Sequence, residues 1–210
     1  MIIVILIILI LYVNKILQYR FGWNNNIVTN RSAHPNVSVV VSIRNESHNI
    51  SQLINSLRSQ VYPIENLEFI LINDHSTDAT LSILENSDLE NLKVIDMPVG
   101  IFGKKNAINF AIPNAKGDII LLSDADCLFD SYWIRTMVGY FRNDSVKLVS
   151  GPVVINEKKG FFQKIQSLEF ISLIASGAGA IGSNDAIFCN GANMASVSYT
   201  HLRAHETDSY

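Results

Sequence analysis

The sequence is poor in the features that most quickly assign a chain. It has two cysteines in 210 residues, Cys127 and Cys189, and their separation fits neither a metal-ligand pair nor a dense disulfide framework. A cytosolic domain with free thiols is the simplest reading. Net charge is low, −3 from 16 Lys+Arg and 19 Asp+Glu, which leaves no nucleic-acid footprint, and no nucleic-acid partner is expected. There is no internal repeat and no Gly-x-Gly-x-x-Gly. The turn after the first strand is Arg44-Asn45-Glu46-Ser47, without the glycines a dinucleotide-dependent oxidoreductase or a nucleotidyltransferase would place there. No basic residue precedes the N-terminal apolar run and no small-x-small site follows it, so a cleaved signal peptide is disfavoured.

What the chain has in excess is apolar residues, 48%, and they are concentrated at the start. Met1 to Val13 is apolar apart from the Tyr12 hydroxyl, and after Asn14 and Lys15 the pattern resumes with Ile16 and Leu17. A spanning helix wants roughly 20 apolar residues. With Lys15 snorkelling and Tyr19 and Trp23 as interface anchors, residues 1–23 read as a membrane anchor, a transmembrane helix with a single pass. Lys15, Arg20 and Arg31 follow the run, which places the remainder on the cytoplasmic side of the cell membrane. Residues 24–36, rich in asparagine and ending near Pro35, read as a linker.

From residue 37 the periodicity alternates. Val37 to Ile43 is a β-branched run and predicts a strand. Ile50, Leu53, Ile54, Leu57 and Val61 fall at helical spacing and stop before Pro63. Leu67 to Ile72 predicts a second strand, Leu81 to Leu84 a helix, and Leu92 to Met97 a third strand. The segment after Lys104 and Lys105 predicts a helix, Ile119 to Leu122 a fourth strand, and Ile134 to Phe141 another helix. Leu148 to Ile155 is strand-like, Phe161 to Ile174 is helix-compatible, and a glycine-rich run, Gly177 to Gly182, follows. Alternation with short connections predicts an α/β domain over 37–196, with a mostly parallel sheet and helices on both faces. In such a sheet the neighbourhoods of Asn45, Asp74, Lys104 and Asp124 open onto one edge.

Taken singly, the polar motifs at that edge have ordinary readings. Arg44-Asn45-Glu46 and Asp74-x-Ser76-x-Asp78 are both composed like helix caps, Lys104 and Lys105 like a solvated face, and Asp124-Ala125-Asp126 like a turn. Together they describe a cleft with one chemistry. Paired carboxylates at a strand end suit a hard divalent cation, and lysines at a helix start suit phosphate. Asp74 is placed to accept a pyrimidine N–H.

Four blocks, Val37 to Glu46, Phe69 to Asp78, Gly103 to Ala111 and Gly117 to Cys127, make the chain resemble a glycosyltransferase of family 2 with the GT-A, Rossmann-like fold. Asn190-Gly191-Ala192-Asn193-Met194 resembles that family's later, acceptor-side block. The resemblance implies a nucleotide-sugar donor, most often UDP-linked, and inverting transfer to an acceptor hydroxyl on a glycan or lipid-linked acceptor. It implies Mg2+ or Mn2+ at Asp124 and Asp126, the donor nucleotide held by Arg44, Asn45, Glu46, Asp74, Lys104, Lys105 and Asp124, and an acceptor side at Asn190, Gly191, Ala192 and Asn193. A membrane-tethered binding domain without catalysis is the alternative. The family's general base is an acidic residue after the Asn-Gly-Ala-Asn-Met block. Residues 197–210 lose the apolar periodicity and resemble a translated adapter sequence, an artefactual tail. His201 and His205 within it have helical zinc spacing but too few companions, and Glu206 and Asp208 are not assigned as the base. The expectation is a chain that binds a nucleoside diphosphate with metal, seen by calorimetry, while transferring little sugar. A clear transfer rate from the same preparation would contradict the absence of its base.

Overall fold

The computed structural model describes residues 2–25, 34–156 and 160–198. The remaining part of the linker, 26–33, and of the tail, 199–210, lies outside the described residues. The elements, in chain order, are α1 (Ile2–Gly22), β1 (Val37–Ile43), α2 (Ile50–Arg58), β2 (Leu67–Asn73), α3 (Thr80–Glu85) and β3 (Leu92–Asp96). They continue with α4 (Lys104–Ala111), β4 (Ile119–Asp124), α5 (Trp133–Gly139), β5 (Leu148–Ser150), α6 (Phe161–Gly182) and β6 (Asn193–Val197). Two compact units result: Met1–Val28 with Pro152–Asn190, and Thr29–Gly151 with Gly191–Tyr210.

The larger unit is built on one six-stranded sheet, ordered β3-β2-β1-β4-β6-β5. Its first four strands in that order are parallel, and β6 runs antiparallel to both β4 and β5. Parallel strands covered on both faces need apolar side chains at nearly every position, and β1, β2 and β4 have them. Val39, Val41, Phe69, Leu71 and Leu121 point to one face, where they meet Leu53 and Leu57 of α2, Leu84 of α3 and Ile134 and Met137 of α5. Val40, Ile70, Ile72, Ile120 and Leu122 point to the other, against Ala107 and Ala111 of α4. The short side chains of α4 allow that helix to lie close to the sheet.

A part-buried polar cluster lies at the edge where these strands begin. Ser38 is fully buried, donates to the Glu68 carboxylate of its neighbour strand, and accepts the Gly117 N–H at 2.8 Å. The Lys116 N–H reaches the same Glu68 oxygen at 2.6 Å. One carboxylate thus fixes both β2 and the entry to β4 against β1.

Three elements depart from the sequence expectation. Strand β5 stops at Ser150 rather than running to Ile155, because Pro152 brings no N–H to a ladder. The glycine-rich run is the last turn of α6, which extends to Gly182, where small residues permit contact with α1: a Cβ on Gly179 would lie 2.3 Å from the Tyr19 carbonyl oxygen. Strand β6 had no apolar run to announce it.

In the smaller unit, α1 exposes its apolar side chains along its length and buries only Gly22. Its last turns pack on the end of α6. Lys15 pairs with Asp185, the Tyr19 hydroxyl donates to the same carboxylate at 3.3 Å, and Ser183 Oγ donates to the Gln18 carbonyl at 3.0 Å. Both α1 and α6 are long and apolar enough to cross a membrane, where the sequence suggested one such helix.

A Cβ at Gly117 would fall 2.4 Å from Ser38 N and 2.7 Å from the Val37 carbonyl carbon, both backbone atoms. Gly117→Ala should therefore destabilise the sheet unit by about 1–3 kcal/mol, the usual cost of overpacking, measured as a lowered urea midpoint.

Candidate functional site

The carboxyl ends of β1, β2, β3 and β4 lie on one edge, and the loops leaving them are tied to one another. Asn45 follows β1 with φ 55°, a left-handed conformation that asparagine tolerates better than most residues. Its side-chain Oδ1 accepts the Thr77 N–H at 2.7 Å, and its own N–H donates to Ser76 Oγ at 3.0 Å. The Glu46 N–H donates to Thr80 Oγ1 at 2.9 Å, and the Ser47 N–H to Asp78 Oδ2 at 3.1 Å. Glu46 in turn accepts the Asn49 side-chain amide at 2.7 Å. The two loops therefore form one platform. Arg44 and Asn45 are exposed on it and Glu46 is half-buried.

Asp74 is buried, 3% exposed, and its oxygens already have partners. Oδ2 accepts the Gly103 N–H at 2.9 Å; Oδ1 lies 3.0 Å from His75 Nδ1. The His75 ring rests on Phe102, centroids 4.3 Å apart. Gly103 has φ 93°, a conformation L side chains rarely adopt, and it opens α4. The Asp74 carboxylate thus holds the point from which Lys104 and Lys105 project. Lys104 Nζ pairs with Asp124 Oδ1, so of the two lysines this one turns toward the paired aspartates; Lys105 is exposed.

Asp124 ends β4 and Asp126 lies exposed in the turn beyond it. Beside them runs the start of β6. Ser123 Oγ donates to the Ala192 carbonyl at 2.8 Å. Asn193 is buried; its Oδ1 accepts the Trp133 indole N–H at 2.9 Å and its carbonyl accepts the Gly151 N–H at 2.8 Å. Gly191 and Ala192 therefore flank the Asp-Ala-Asp turn, whereas the Asn193 side chain is turned inward as a packing pin. Asn190 belongs to the other compact unit. The Cys127 thiol, raised above its ordinary pKa chiefly by burial, stays protonated near neutrality.

The structure thus brings Arg44 to Glu46, Asp74, Lys104, Asp124, Asp126 and Gly191 to Ala192 to one sheet edge. Sequence reasoning missed Phe102, His75, Trp133 and the Asn45–Thr77 bond. Only the Asx-like composition of residues 73–78 hinted at the last of these.

A family model for glycosyl transferase family 2 matches residues 38–201. The chain belongs to that family. Among its relatives, a poly-beta-1,6-N-acetyl-D-glucosamine synthase of Staphylococcus epidermidis is 31% identical over 175 residues, 78% of this chain and 42% of that protein. A beta-monoglucosyldiacylglycerol synthase of Nostoc sp. is 32% identical over 139 residues, 64% and 30%. The chain spans less than half the length of these relatives. A solved mannosyltransferase of Pyrobaculum calidifontis, in complex with GDP-Man and Mn2+, superposes with a TM-score of 0.68 at 21% identity, covering 92% of this chain and 55% of that one. That likeness establishes for this family 2 chain the GT-A-like, mostly parallel fold.

Asp78 supplies a pH test of the platform. Its carboxyl is held well below the usual carboxylate range, chiefly by the Thr80 hydrogen bonds and also by those from Ser47. A depressed folded pKa means stability present above the unfolded value of about 3.9 and lost as pH falls below it. The stability difference between the native chain and Asp78→Asn should stay constant from neutral pH to about 5 and close below about 4, read by urea unfolding at each pH.

Proposed function

We propose that this chain carries the donor half of an inverting glycosyltransferase. It takes a sugar from a nucleoside diphosphate, most often UDP, for an acceptor hydroxyl on a glycan or lipid-linked acceptor. Residues 1–23 anchor it in the cell membrane, with the sheet unit on the cytoplasmic side and residues 37–196 as the catalytic domain. Membership of the family supports the reaction class, and the names of the relatives, a polysaccharide synthase and a glycolipid synthase, support the acceptor classes. The observation that carries the reading is Lys104 seated on Asp124 beside Asp126. This pair gathers cation-binding and anion-binding groups at the sheet edge where ligands of α/β folds bind.

Mg2+ or Mn2+ fits the donor set. Two carboxylates separated by one residue offer hard oxygen ligands, Asp126 is open to solvent, and Asp124 already draws a cation, the Lys104 ammonium. Two protein carboxylates would leave room for phosphate oxygens and water to complete the ligand set, as Mg2+ commonly requires. When bound by Asp124 and Asp126, the ion supplies charge neutralisation for the departing diphosphate.

The chain's own residues do the rest. Lys104 can exchange its Asp124 partner for a phosphate oxygen without moving its backbone, since α4 is fixed at Gly103 by Asp74. There it adds positive charge where negative charge develops. The Arg44–Glu46 turn, braced by Ser76, Thr77 and Thr80, lines the nucleoside side. Asp74 contributes at the base in addition to its Gly103 bond, because a carboxylate oxygen can accept more than one hydrogen bond. Gly191 and Ala192 form the acceptor side next to the Asp-Ala-Asp turn, and Asn193, buried and bonded to Trp133, holds that segment in place.

Replacing Asp126 with Ala should lower Mn2+-dependent UDP affinity by at least tenfold, about 1.4 kcal/mol, with the fold intact by circular dichroism. Calorimetry with UDP and GDP, with and without Mn2+, checks this. Undiminished binding would reduce the motif to a turn. Metal-dependent binding in the absence of transfer by a preparation carrying the complete acceptor side would favour the tethered binding domain.

A further inference from the structure

Helix α6 exposes large apolar side chains that a soluble protein would bury, alongside the polar Gln163, Lys164, Gln166 and Glu169. Its buried residues are Ser167, Gly177, Gly179 and Ala180, whereas Phe161, Phe162 and Leu168 are 81%, 69% and 66% exposed. Ile165, Ile171 and Leu173 are exposed as well. Water-soluble helices bury the large apolar residues and expose the small or polar ones. Small residues inward and large ones outward is the arrangement of helices that pack together in lipid. The helix also leaves the sheet unit and joins α1 in the smaller one. There Gly179 lies against Tyr19 and Ser183 bonds Gln18, so its apolar surface continues that of α1.

Length and composition alone would allow α6 to be a second span, but the sheet forbids a single crossing. Strands β5 and β6, on either side of α6 in sequence, are paired with each other, Leu148 with Ser196 through Ser150 with Met194. Both ends of α6 must therefore lie on the same side of a bilayer. To return after a crossing, residues 151–160 or 183–192 would have to pass through lipid as extended chain, with backbone N–H and C=O groups unsatisfied, which the hydrocarbon core does not tolerate.

We propose that α6 is seated on the bilayer that holds α1, lying in its interfacial region without crossing. Phe161, Phe162, Ile165, Leu168, Ile171 and Leu173 contact lipid, and Gly179 docks on the end of α1. The sequence around its start fits the headgroup layer: Lys158, Lys159 and Lys164 with two phenylalanines, basic and aromatic residues being favoured there. Lys15, Tyr19 and Asp185 form the polar clasp where the two helices meet. This inference rests on the reading of α1 as a membrane anchor, and it gives the sheet unit a second attachment to the surface from which a lipid-linked acceptor is presented.

The test uses the full chain in phospholipid nanodiscs, with Cys127→Ser and Cys189→Ser as background and one nitroxide label at a time. Labels go at Phe162→Cys, Leu168→Cys and Leu173→Cys on α6, Leu9→Cys on α1 and Glu65→Cys as an aqueous reference. All these side chains are exposed, so the fold should survive the substitutions. The three α6 labels should show an oxygen-to-nickel-chelate collision ratio severalfold above that at position 65, at similar depths and shallower than position 9. Ratios like that of position 65, with position 9 still in lipid, would overturn the inference and leave the anchor standing. A watery position 9 would instead overturn the anchor reading. Depths at 162 and 173 in opposite leaflets would overturn the interfacial placement in favour of a span. Labels shielded from both reagents would show that protein, not lipid, covers α6, and would overturn it too.

Discussion

Strand β1 is the constraint on which the rest depends. It is hydrogen-bonded on both sides by parallel partners, β2 and β4, along nearly its full length. A central parallel strand has no free edge and no solvent face, so its side chains are mostly apolar on both sides, and the buried Ser38 is hydrogen-bonded. Its direction also dictates that the loops after β1, β2 and β4 emerge together. The turn at Arg44, the Asp74 clasp and the Asp124–Asp126 pair are neighbours for that reason. Glu68 secures the opposite end, joining Ser38 and Lys116, so a slide of the strands would break both bonds and leave the fully buried Ser38 hydroxyl without its acceptor.

On this frame the loops differ in how firmly they are held. The Arg44–Glu46 turn and the Asp74–Asp78 turn share backbone-to-side-chain bonds in both directions, so neither can adjust alone. Two residues, Asn45 and His75, adopt left-handed backbone conformations. Such strain persists where the surroundings over-determine it, and here the cross-bonds do so. For His75 the ring contact with Phe102 and the Asp74 carboxylate add further restraint.

Much of this was legible in the sequence because the physics is local. Val37–Ile43 and Leu67–Asn73 are β-branched or apolar runs with turn residues at both ends, and the helix after Asn49 keeps strict 3.6 spacing in Ile50, Leu53, Ile54 and Leu57, all buried. The sheet edge carrying Asp74, Lys104 and Asp124 followed from strand direction. What could not be read was non-local. Asn193–Val197 enters the sheet as a strand because β4 and β5 offer it antiparallel partners, a fact absent from Asn-Met-Ala-Ser-Val itself. The sequence marks Phe161–Ile174 as helix-compatible, yet the helix continues to Gly182, and at Gly179 the close approach of Tyr19 in α1 leaves no room for a side chain. That Lys104 rather than Lys105 turns to Asp124 depends on the phase of α4, which is set by the Gly103–Asp74 bond across 29 residues.

Under the proposed function, the same geometry indicates which contact gives way when a nucleoside diphosphate enters. The Lys104–Asp124 pair is 45% and 38% exposed, and exposed pairs of this kind contribute only about 0–1 kcal/mol, weakened further by salt. Asp74 is buried, with a backbone amide and an imidazole on its oxygens, and removing a partner from a buried carboxylate costs several times more. An incoming diphosphate with its metal would therefore displace Lys104 from Asp124 long before it loosened Gly103 from Asp74. On that reading the lysine is a replaceable counter-ion to Asp124. Its helix stays anchored, so it remains within reach of the oxygens that replace its partner. The site can exchange one charge pairing for another at low cost because the costly bond lies one residue away and is not disturbed.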